Sequence, residues 1–121
     1  PRGQTNMGGE PLGKWYKPSI VFISESNYSD AHMFPYTYKA LGIGKLVGMP
    51  VPGTGTAVWW ETMIDGKTVF GIPQVGMKGM DGKFLENSQL EPDIKVDNTA
   101  EMAAKGFDQQ LIKAVEIMLE D

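Results

Sequence analysis

Three serines, Ser24, Ser26 and Ser29, fall within six residues of the stretch "SESNYSDAHMFPY", residues 24–36. They follow an apolar run, "PSIVFIS", and precede apolar residues at helical spacing. A hydroxyl at such a junction can be a nucleophile. The turn exposes it, and the helix N-terminus behind it offers free N–H groups and partial positive charge to an oxyanion. Ser29 stands at the junction, with the amide of Asp30 next. The ordinary alternative is that Ser29 caps the helix and that Ser24 and Ser26 are turn residues. His32 is the only histidine and the chain has no cysteine. A histidine general base must therefore be His32 or come from outside the chain, and thiol chemistry, disulfides and Cys-ligated metal are excluded.

The elements that must hold these residues can be read in order. Pro18–Ser24 reads as a buried parallel strand. Met33, Phe34, Tyr38 and Leu41 mark a helix from Asp30 that ends by Gly42, with a bend expected at Pro35. Lys45–Met49 reads as a second strand, which gives a strand–helix–strand unit and a parallel sheet. "AVWWETMIDGKTVFGIP" then reads as two strands around a tight Asp65-Gly66 hairpin turn, with a second turn at Asp81-Gly82. "DIKV", residues 93–96, is a candidate edge strand. "NTAEMAAKG" reads as a short helix capped by Asn98 and stopped at Gly106. Asp108 is placed to cap a last helix whose Leu111, Val115, Met118 and Leu119 form one apolar stripe, expected to pack in the core. Trp59-Trp60 and the methionines are likewise expected inside or at an interface. The fold class is α/β.

The order of motifs from about Lys17 to the end resembles the tricorn-type serine peptidases, relatives of the C-terminal processing proteases. The likeness rests on Ser29-Asp30 after an apolar strand, Phe34-Pro35, the Lys39–Gly48 stretch, the "GTGTAVWW" loop, "IDGKTVFGIPQVG", "LENSQLEPDIKVDNTA" and the closing "AAKGFDQQLIKAVEIML". The resemblance implies a partial ClpP/crotonase-like catalytic domain: a strand–helix–strand unit, then β-hairpins and a C-terminal helix. It divides the chain into a lead-in loop, 1–17, and the C-terminal half of a peptidase catalytic domain, 18–121. It implies that Ser29 is the nucleophile, that the Asp30 amide supplies half of an oxyanion hole, and that Glu86 is a supporting carboxylate.

It also separates two subtypes. The processing-protease branch activates its serine with a lysine in a loop that here reads "PVPGTGTA", residues 50–57, without lysine. Lys45 precedes that loop and Lys67 lies beyond the hairpin turn, so a Ser–His arrangement fits better than a Ser–Lys dyad. In the family the base lies far upstream of the nucleophile, which sets His32 aside. The second oxyanion donor lies upstream too, and "NMGGE" at 6–10 is too close to Ser29 to supply it. Gln89 stands where the family usually has glycine. The chain alone is therefore expected to be inactive.

Bulk properties limit the partners. The chain has 121 residues, net charge −4 and no basic cluster, which excludes phosphate-backbone binding as its main work. No apolar run approaches the roughly 18 residues of a membrane span. The start, "PRGQTNMGGEPLGKW", is polar and reads as no signal peptide. It also lacks an initiator Met, so a longer chain is expected. Absence of cysteine suits an exported and a cytoplasmic protein equally. No cofactor and no metal is expected. The expected partner is a peptide or unfolded protein, with self-association through exposed apolar surface. The competing readings are a non-catalytic binding or scaffold domain that keeps the fold, and a phosphate-binding module using "GTGTA". The latter lacks the Lys-Ser/Thr pair of a phosphate loop.

Overall fold

The computed structural model describes residues 15–120; the "NMGGE" motif and most of the expected lead-in lie outside them. The apolar run Ile20–Ile23 forms strand β1, helix α1 follows at Asp30–Ala40, and Lys45–Gly48 forms β2. β1 and β2 pair in parallel from Ile20↔Lys45 to Ile23↔Gly48. The two-residue strand β5, Ile94–Lys95, pairs in parallel with the other side of β2. The sheet order β1-β2-β5 leaves "DIKV" at an edge, as its composition implies.

β2 is central, and both of its middle residues are fully buried. Leu46 joins Ile23, Tyr38, Val51 and Leu90 in one cluster. Successive strand residues face opposite sides, so Val47 serves the other face. Burial of each such side chain contributes roughly 1.5–3 kcal/mol, which makes β2 the anchor of the unit. The Tyr38 hydroxyl, carried inward with its ring, is satisfied by the Ser19 carbonyl at 2.7 Å. At the far end of α1, Lys39 bridges to Asp93 at 2.9 Å and donates to the Glu91 carbonyl, tying the helix to β5.

Pro35 lies inside α1 and is buried. A proline there has no N–H for the carbonyl four residues back, which is that of Ala31. The Asn27 side-chain amide takes that carbonyl instead, at 2.9 Å. The helix therefore continues through the proline to Ala40.

Strands β3, Thr56–Thr62, and β4, Val69–Gly76, form a separate antiparallel ribbon. Its connection is six residues long, 63–68, and not the tight two-residue turn that Asp65-Gly66 suggests. Asp65 folds its carboxylate back onto the Lys67 and Thr68 amides and the Thr68 hydroxyl. That closes a wider loop, which Met63 N–H seals on the Thr68 carbonyl. Pro73 sits opposite Val58 where the register slips between Ala57 and Val58, a place where a missing N–H does least harm.

Two further expectations are corrected here. The short helix α2, Ala100–Ala104, is capped by Thr99 and not by Asn98. Asn98 is engaged at the next helix, α3 (Gln109–Glu120), where its side chain accepts from the Gln110 N–H and donates to Asp108. Asp108 caps α3 through the Leu111 N–H, as expected. The apolar stripe of α3, however, is not in the core. α3 meets β2 with a mixed face, on which Ala114 and Ile117 are buried and Gln110 and Lys113 half-buried. Leu111, Val115, Met118 and Leu119 lie outside that face, Leu119 at 82% exposure. Trp59 and Trp60 are exposed as well, because the ribbon has no third strand or helix laid over it among the described residues.

Candidate active site

The turn between β1 and α1 holds Ser29 at φ 56°, ψ −116°. A residue with a Cβ has a small left-handed basin near φ +57°, ψ +47°; Ser29 shares its φ but not its ψ. The side chain makes no capping bond. Instead the Ser29 carbonyl accepts the His32 and Met33 amides, and the Tyr28 carbonyl accepts that of Ala31. These three amides are thus satisfied by backbone, without the Ser29 side chain. Among the described residues the Asp30 N–H has no acceptor. Ser24 and Ser26 form a local turn closed by Asn27.

The loop 50–57 runs past this turn. The Ser29 N–H donates to Thr54 Oγ1 at 2.8 Å. On the other side of the loop, Glu86 Oε2 accepts from the Gly55 N–H at 2.8 Å and the Thr56 hydroxyl at 2.7 Å. The Thr56 hydroxyl, the Gly55 amide and a smaller attraction from His32 hold the Glu86 carboxyl below the usual carboxylate range, so it is ionised at neutral pH. Its turn is reached through Asn87, a left-handed residue at φ 59°, whose N–H bonds the Gly53 carbonyl. Asparagine tolerates that conformation. Gln89 is not left-handed, so the missing glycine at that position imposes no strain. Gly53 and Gly55 let the loop and the 85–88 turn approach. A Cβ on Gly53 would collide with the Ser88 backbone, and one on Gly55 would lie 2.7 Å from Leu85 Cβ.

Ser29 and Glu86 consequently line one cleft of about 430 Å³, together with Thr54, Thr56, Tyr28, Val58 and Pro73. A smaller hollow of about 110 Å³ adjoins Ser29, Asp30 and Gly55. His32 is not in the cleft. It is fully buried, its Nδ1 is 3.2 Å from the Thr54 carbonyl, and no hydrogen bond joins it to Ser29. Thr54 and Thr56 are site residues the sequence reading missed. Their only local signal was the Gly-flanked "GTGT". That segment feeds strand β3 and no helix, so it has no phosphate-loop geometry. Among the described residues no group of His, Asp and Glu is arranged to hold a metal ion, and no helix is long and apolar enough to cross a membrane.

A family model described as peptidase family S41 matches residues 2–96. The chain belongs to that family. Within it, the chain is 32% identical over 114 residues to the tricorn protease of Thermoplasma volcanium, covering 92% of this chain and 11% of that protein. The crystal structure of the tricorn protease superposes with a TM-score of 0.77 at 26% identity, over 84% of this chain and 10% of that one. The structure of mature CPAF complexed with lactacystin gives 0.80 at 26% identity, over 92% and 22%. The S41 chain described here thus spans about a tenth of the length of the curated tricorn protease it matches. Its α/β architecture is that of S41 peptidase domains, and its likeness is to the tricorn type.

Proposed function

We propose that this chain is the nucleophile-bearing part of a serine endopeptidase that cleaves peptides or unfolded proteins through an acyl-enzyme. One observation carries the reading: Ser29 sits on an unfavourable backbone turn, makes no capping bond and shares a cleft with Glu86. A capping serine needs none of this, whereas a nucleophile gains an exposed Oγ at a strand-to-helix turn. In the proposed reaction Ser29 Oγ attacks the scissile carbonyl, and the Asp30 N–H, which has no other acceptor among the described residues, donates to the developing oxyanion. Glu86, ionised and held by Gly55 and Thr56, orients the general base through a hydrogen bond. The base is a histidine from outside this chain, because the His32 imidazole is buried and committed to Thr54.

The test uses the longer protein that carries this segment, with an unstructured protein as substrate. Cleavage is expected, and Ser29→Ala is expected to abolish it. The isolated chain is expected to resist a fluorophosphonate probe, since an unactivated serine is a poor nucleophile. Cleavage that survives Ser29→Ala, or ready labelling of the isolated chain, would overturn the proposal. Binding of the substrate without any cleavage would favour a scaffold domain that keeps the fold.

A further inference from the structure

His32 is the one fully buried polar side chain among the described residues. A carbonyl only accepts, so the contact with Thr54 fixes a hydrogen on Nδ1. The other ring nitrogen, Nε2, is buried and has no partner among the described residues. A hydrocarbon side chain would fill the same space without stranding a nitrogen. What the imidazole supplies that a hydrocarbon could not is the Nδ1–H.

Its acceptor is not an arbitrary carbonyl. Thr54 opens the three-residue segment that touches both halves of the site: Thr54 Oγ1 accepts the Ser29 N–H, and Gly55 and Thr56 donate to Glu86. Ser29 and Glu86 have no direct hydrogen bond to one another, so their relative placement depends on where this segment lies. We propose that His32 is a positioning residue: its Nδ1–H fixes the Thr54 carbonyl and thereby holds Ser29 and Glu86 in register across the cleft. In its catalytic consequence this rests on the function proposed above; the coupling to Glu86 does not.

The coupling can be read in the chain itself by following the Glu86 carboxyl carbon by NMR as a function of pH. His32→Leu removes the Thr54 bond and any direct charge on the ring. His32→Asn removes the charge but keeps an amide donor for Thr54. The Glu86 midpoint, lowered in the parent, is expected to move back up in His32→Leu and to stay lowered in His32→Asn. The Ser29 and Gly55 amides are expected to exchange at least tenfold faster in His32→Leu only. An equal rise in both variants would mean that His32 acts through its charge, and no rise in either would mean that the segment holds itself; both overturn the proposal. If His32→Leu does not fold, His32→Gln replaces it, because its amide stands one bond too far out for Thr54. In the longer protein, kcat is expected to fall at least tenfold in His32→Leu at unchanged KM, with recovery in His32→Asn. A protein with no cleavage in any form would defeat the function proposed above and leave the NMR result standing.

Discussion

Replacing Ser29 tests whether its backbone is strained. Residues held in sparsely populated regions cost about 1–3 kcal/mol each. At φ 56°, ψ −116° that cost comes from the Cβ, which alanine retains and glycine lacks. Loss of a true N-cap costs about 0.5–2 kcal/mol, but the Ser29 side chain makes no capping bond. Ser29→Ala is therefore expected to change stability by no more than about 0.5 kcal/mol. Ser29→Gly releases the strain and loses about 0.5–1 kcal/mol to chain entropy. The net expectation is that the glycine variant is more stable than the alanine variant by about 1 kcal/mol, or roughly 3–5 °C in Tm for a chain of this size. Urea unfolding of the three proteins at one pH, with equal m-values, measures the difference. If alanine costs 1 kcal/mol or more and glycine is no better, Ser29 is an ordinary helix cap and its turn stores no strain. The expected order means that the turn is kept at a cost in stability, as sites built for activity often are.

Two further outcomes follow from the hydrogen-bond arrangement. Asn27→Ala is expected to destabilise the chain by about 1 kcal/mol, because it removes both the donor to the Ala31 carbonyl and the acceptor that closes the Ser24 turn. The same change in a Pro35→Ala background should cost less, since residue 35 then supplies the N–H; equal costs in a double-mutant cycle would refute the bridging role. Acid titration is the other. Asp65 is lowered to about 2, chiefly by the Thr68 hydroxyl and amide, and Glu86 and Asp108 are lowered by their own hydrogen bonds. For Asp93 burial pushes upward, but the Leu46 N–H and Lys39 together outweigh it. Each of these groups binds its proton more weakly folded than unfolded. Their stabilisation is complete above the ordinary values near 3.8 to 4.5 and declines as pH falls through them toward about 2. Urea midpoints from pH 7 down to pH 3 should therefore decrease, and a flat or rising series would contradict the assignment.

Much of the strand–helix–strand unit was legible because its signals are local. The apolar run before Ser24, the helical spacing after Asp30 and the glycine past Leu41 each act over a few residues. Glu86 entered only through the resemblance to the family, because its own neighbourhood reads as a solvated turn. What escaped depended on partners distant in sequence. Thr54 and Thr56 matter only because the 85–88 turn and the Ser29 turn both close on them. Asn98 and Thr99 are adjacent and both able to cap, and only the position of Gln110 decides between them. Periodicity on α3 identified an apolar stripe, but not which side of the helix meets β2. The Asp65-Gly66 pair marked a reversal of the chain, while the Asp65 carboxylate set its width.

The two sheets have a consequence for how long the site exists at any moment. β1-β2-β5 and β3-β4 are bonded separately, and the cleft between Ser29 and Glu86 spans the line where they meet. Local openings need only the free energy of the bonds they break. Here those include the bonds from the Thr54–Thr56 segment to Ser29, His32 and Glu86, the Asn87 N–H to the Gly53 carbonyl and the Met80 N–H to the Tyr36 hydroxyl. The cleft can therefore come apart while the parallel sheet stays folded. Apparent affinity for a ligand in it scales with the fraction of time it is assembled. Anything that clamps the ribbon against the parallel sheet, a ligand included, raises that fraction without touching a reacting atom.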